Sequence, residues 1–77
     1  MSSGVDALLE QARSRRNLPL PADRRRIREA AGLSLRAVAA ALGVSHTAVA
    51  NWEAGGTPRE QERGSYGRLL EELDRMA

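Results

Sequence analysis

The stretch Leu33-Ser34-Leu35-Arg36-Ala37-Val38-Ala39-Ala40-Ala41-Leu42-Gly43-Val44-Ser45-His46-Thr47-Ala48-Val49-Ala50-Asn51-Trp52-Glu53-Ala54-Gly55 decides the fold of this 77-residue chain. Leu35, Val38, Ala39 and Leu42 recur at the spacing of one helix face. Ser34 stands where an N-cap is wanted, and Gly43 where a left-handed residue ends a helix. Ser45 caps a second helix whose inward residues are Val49 and Trp52. Only Gly43 and Val44 separate the first helix from that cap. A short turn containing glycine holds two helices steeply crossed, which is the helix-turn-helix arrangement. Ala39 permits close approach, Gly43 takes positive φ and Val44 plugs the angle between the helices.

The flanks are helical too. Val5, Leu8, Leu9 and Ala12 line one face of an N-terminal helix. That helix is marginal alone, so its stripe is expected to cover the domain's own core or to pair with a second chain. Ser14–Pro21, with Asn17, Pro19 and Pro21, reads as a linker. A helix over Ala22–Ala31 follows, with Leu20, Ile27 and Ala31 inward and Gly32 as its cap. After Gly55-Gly56-Thr57-Pro58, the charged residues Arg59–Gly64 read either as loop or as a short helical turn. Ser65 is expected to cap a last helix with Tyr66, Leu69, Leu70, Leu73 and Met76 on one face. Gly64 and Gly67 leave room for only one helix there. No stretch alternates with the period of a strand. The expected fold is all-α, a small bundle of about five helices. It is organised as residues 1–20 (N-terminal helix and linker), 21–58 (core, with the helix-turn-helix at 34–53) and 59–77 (C-terminal helix).

Composition excludes several classes of function. There is no cysteine and one histidine, so neither a disulfide framework nor a zinc finger is available, and no metal or cofactor is expected. The N-terminus lacks a signal peptide's basic start and apolar run, and nothing is long and apolar enough to span a bilayer, so a cytoplasmic protein is expected. No nucleophile–base pair, phosphate loop or carboxylate dyad points to an enzyme. All twelve basic residues are arginine, yet the net charge is only +2. Its distribution is uneven. Residues 13–36 hold eight arginines against Asp23 and Glu29, a balance of +6, whereas Leu69–Ala77 is at −2. One basic face toward a polyanion fits that pattern, and so does a solvated arginine-rich surface. Arg24, Arg25 and Arg26 are open to both readings.

The second helix of the pair is amphipathic in a telling way. His46, Thr47, Ala50, Asn51 and Ala54 form its outer face. That face carries no charge that repels DNA. His46, Thr47 and Asn51 can hydrogen-bond base edges, and small Ala50 lets the helix sit deep against a thymine methyl. Tyr66 is expected to pack with its hydroxyl exposed, and Trp52 to be core.

The quoted run resembles the helix-turn-helix core of the Cro and lambda-repressor (XRE-type) regulators, over about Arg24–Pro58. The resemblance rests on Val38-Ala39 and Leu42-Gly43-Val44-Ser45, followed by Val49 and Trp52-Glu53 with Gly55. It implies His46, Thr47, Ala50 and Asn51 as base-contacting residues. It implies Arg36, Ser45, Thr57 and Arg59 as phosphate contacts, and a structural salt bridge between Arg28 and Glu53. Many relatives carry glutamine or arginine where His46 and Thr47 stand, so base preference is not carried over.

The expected function is a sequence-specific, double-stranded DNA-binding transcriptional regulator, a repressor of bacterial type acting in the cytoplasm at the nucleoid. A homodimer on a pseudo-palindromic operator is expected, without membrane or small-molecule partners, because one such helix reads too few base pairs alone. The rival is a protein-interaction module on the same scaffold, such as an antitoxin, an anti-repressor or an RNA polymerase adaptor.

Overall fold

A computed structural model describes residues 4–9 and 18–77. Residues 4–9 are helical (α1), and four further helices follow: α2 (Pro21–Ala30), α3 (Leu35–Leu42), α4 (His46–Glu53) and α5 (Glu60–Met76). The fold is an all-helical helix-turn-helix bundle, with no strand among the described residues. The remainder of the Val5–Ala12 helix and residues 14–17 of the expected linker lie outside the described residues.

Local chemistry sets the helix boundaries. Pro21 opens α2, where a missing N–H costs nothing. Ser34 Oγ accepts from the Ala37 amide at 3.0 Å, and Ser45 Oγ accepts from Ala48 at 3.1 Å. Each such cap is worth about 1 kcal/mol. Gly43 ends α3 at φ +70°. Its amide donates to Ala40 O and the Val44 amide to Ala39 O at 3.0 Å, so the carbonyls at the end of α3 are closed before the chain turns into α4. A Cβ at Gly43 would meet nothing within 4 Å, so φ rather than space demands glycine here.

The core is Ile27, Val38, Ala39, Val49, Trp52, Tyr66 and Leu70, one to two side chains from each of α2 to α5. Helices α3 and α4 pack on each other, and α2 bridges α4 and α5 behind them. The Trp52 and Tyr66 rings are 4.7 Å apart, tilted by 43°, a contact that fixes α5 against α4 from inside.

Four expectations are corrected. Val5, Leu8 and Leu9 are 56–65% exposed, so the described part of α1 does not cover the core. Leu20 and Ala31 are exposed rather than inward, and Leu18 packs against the core instead. Pro21 starts the helix just after Leu20, which puts that side chain off the buried stripe. The last helix begins at Glu60 rather than at Ser65 and runs through both Gly64 and Gly67. Burial of Tyr66, Gly67 and Leu70 outweighs the cost of about 1 kcal/mol per helical glycine. Met76, at the helix end, is exposed.

Tyr66 differs as well. Its hydroxyl is buried and has no hydrogen-bond partner. Burial first, and the nearby Glu53 carboxylate second, push its pKa up to about 12 from 10.0. A raised folded-state value means this stabilisation is complete below about pH 10 and is lost as pH rises toward 12, a loss of about 2–3 kcal/mol. Denaturant melts at the two ends of that window are expected to show the loss in the natural protein and not in Tyr66→Phe. Because the chain has one tyrosine, tyrosinate absorbance reports the ionisation directly. Below pH 9, Tyr66→Phe is expected to be neutral or up to about 1 kcal/mol more stable, since it removes an unsatisfied buried hydroxyl.

Candidate nucleic-acid interface

The outer face of α4 is built by its cap and its inward anchors. Ser45 sets the start of the helix, and Val49 and Trp52 lock its inner side at 0% and 5% exposure. His46, Thr47 and Asn51 are therefore turned outward and exposed, with half-buried Ala50 between them. The face carries no ionised carboxylate, because Glu53 is turned inward and 8% exposed.

Glu53 belongs to a forked ion pair. Arg28 Nη2 donates to Glu53 Oε1 at 3.0 Å and Arg28 Nε donates to Oε2. Arg28 Nη1 donates to the Leu33 carbonyl at 2.9 Å, so α2, the α2–α3 turn and α4 meet at one guanidinium. Donating to the Glu53 carboxylate raises the Arg28 pKa above its ordinary value. By contrast, Arg25–Glu29 and Arg26–Asp23 are solvent-exposed pairs within α2 and contribute little.

Beside α4 lies an open groove of about 500 Å³, lined among others by Ser45, Asn51, Thr57 and Arg59. Four residues taken separately from the sequence thus converge on one concavity. Ala48, Trp52, Gly56 and Glu62 also line it. Glu62 was not anticipated, and it adds a carboxylate-bearing residue to the lining that Arg59 shares. Arg36 and Arg59 are exposed and form no ion pair with any described residue, which leaves both guanidinium groups available to phosphate. Arg36 lies on α3, outside the groove lining.

The loop after α4 is held against that helix. Gly55 turns the chain at φ +113°, the Gly56 amide donates to Asn51 O at 2.7 Å, and Pro58 is buried. A Cβ at Gly56 would lie 2.9 Å from Asn51 O, so glycine is needed here for space.

Arg24 was the functional-looking residue that sequence reasoning misplaced. It is neither solvated nor free for phosphate, at 9% exposure. Its Nε donates to Pro19 O at 2.7 Å, and its Nη1 donates to Trp52 O at 2.9 Å and to Gly56 O at 3.5 Å. The signal was present in the spacing, because position 24 falls three residues before Ile27 on the buried stripe of α2.

Among the described residues, no group of three or more His, Asp or Glu side chains could hold a metal, and no helix is long and apolar enough to cross a membrane. Residues 25–62 match a protein-family profile described as Helix-turn-helix. No curated protein and no solved structure matches the chain. The matched span holds residues 25–30 of α2, the whole of α3 and α4, the loop that follows α4 and the start of α5. With that architecture and that match, residues 25–62 form a helix-turn-helix of the XRE, lambda-repressor-like DNA-binding family.

Proposed function

We propose that this protein is a sequence-specific regulator of transcription, a repressor that reads double-stranded DNA by inserting α4 into the major groove. The observation that carries the reading is the outer face of α4: His46, Thr47, Ala50 and Asn51 together, uncharged by carboxylates, with Glu53 withdrawn into the pair with Arg28. In this reading His46, Thr47 and Asn51 meet base edges, and Ala50 allows close approach. Ser45, Thr57, Arg59 and Arg36 meet the phosphates on either side and fix the register. Residues 21–58 are the DNA-binding core, with α5 as its support. Two copies on a pseudo-palindromic operator supply the specificity that one half-site lacks, with half-sites about one helical turn apart. The protein works in the bacterial cytoplasm without cofactor or catalysis.

Asn51→Ala tests the base-reading role. It is expected to cost about 1–2 kcal/mol on the preferred duplex and almost nothing on unrelated DNA. Binding isotherms on both duplexes at one salt concentration decide it. Equal losses on the two would remove Asn51 from base reading.

A further inference from the structure

We propose that Arg24 is a positioning residue for DNA binding: from behind the interface it clamps the end of the recognition helix to the loop that carries Thr57 and Arg59. The inference rests on the DNA-binding reading above. Arg24 is buried at a position on the apolar stripe of α2, where an aliphatic side chain would satisfy the fold. A buried guanidinium without a carboxylate partner is costly unless its donors are used. Here they are used on backbone carbonyls alone. Trp52 O belongs to the last turn of α4, Gly56 O to the loop, and Pro19 O to the segment entering α2.

The Trp52 and Gly56 carbonyls belong to the two segments that would touch DNA. Asn51 lies one residue before Trp52, and Thr57 one residue after Gly56. The backbone already joins the segments once, through the Gly56 amide on Asn51 O. Arg24 joins them a second time through Nη1, while its Nε is held by the Pro19 carbonyl. The clamp therefore sets the distance between base reader and phosphate contact. It also puts a positive charge against the C-terminal, negative end of the α4 dipole, which would otherwise stand beside the loop meant for phosphates. Lysine cannot replace this planar fork, since a single ammonium cannot reproduce donors fixed in two directions.

The test compares binding of the natural protein, Arg24→Met, Arg24→Lys, Arg59→Ala and the Arg24→Met/Arg59→Ala double variant on one selected duplex across salt. Cooperative melting and Trp52 fluorescence establish folding of each. Arg24→Met is expected to fold and to bind roughly ten-fold more weakly, the order of loss for misplaced charge-assisted phosphate contacts. Arg24→Lys should fall between it and the natural protein. In the Arg59→Ala background the effect of Arg24→Met should shrink to about two-fold, because the contact it positions is already gone. A folded Arg24→Met variant with natural affinity, or losses that multiply unchanged in the double variant, would overturn the clamp. If Arg24→Met does not fold, Arg24→Lys with and without Arg59→Ala makes the same comparison. Failure of both single Arg24 variants to fold would make Arg24 scaffold and nothing more. Failure of the natural protein to bind any duplex would sink the DNA-binding reading itself, a different result from any Arg24 variant losing affinity.

Discussion

Glu53→Ala is expected to destabilise the domain by about 3–5 kcal/mol, most of what a domain of this size possesses. The pair it breaks is 12% and 8% exposed on its two side chains, so water screens it little. Removing the carboxylate leaves the Arg28 guanidinium buried with the Leu33 carbonyl as its remaining acceptor. The penalty is chiefly that uncompensated charge, not the loss of the attraction itself. Replacing both partners by apolar residues of similar volume, as in Arg28→Met with Glu53→Leu, should therefore recover most of the stability. Urea denaturation followed by circular dichroism measures all three. The exposed pair Arg25–Glu29 is the internal control, and Glu29→Ala should cost under about 0.5 kcal/mol. A Glu53→Ala loss no larger than that would mean solvent reaches the Arg28 pair.

Gly43→Val is expected to cost about 2–3 kcal/mol, because a β-branched side chain is forced to a left-handed backbone. Since a Cβ there meets nothing within 4 Å, the penalty comes from the backbone conformation and not from want of space for that atom. Gly43→Asn should lose less, about 1 kcal/mol or under, as asparagine tolerates that region best after glycine. For a domain of this size each kcal/mol lowers the melting temperature by about 4–8 °C. The order of melting temperatures, glycine above asparagine above valine, checks the turn. Valine melting with glycine would show that the chain does not turn left-handed between α3 and α4, and the crossing of the two helices would lose its basis.

Most of the central unit was readable in one dimension because its signals are local. Ser34 and Ser45 act on amides three residues away, Gly43 acts on its own φ, and the stripes Leu35–Leu42 and Val49–Trp52 follow helical period. The readings that failed depend on partners distant in sequence. Arg24 looked like one of three surface arginines because Trp52 and Gly56, its acceptors, are 28 and 32 residues away. Two glycines and Ser65 suggested a late start for α5, whereas burial of Tyr66 and Leu70 against Trp52 and Ile27 decides it. The Tyr66 hydroxyl was expected in water for the same reason, since its environment is made by α2 and α4. The apolar stripe of α1 remains exposed along its described length, and no local signal distinguishes a stripe that packs from one that does not.

Selection of bound oligonucleotides from a random duplex library, at about physiological salt, tests the central claim most directly. The account predicts a two-fold symmetric motif of short half-sites about one helical turn apart, with discrimination reduced by Asn51→Ala. Failure to enrich any sequence from a folded protein would contradict it, and would mean that the outer face of α4 is not a reader of bases.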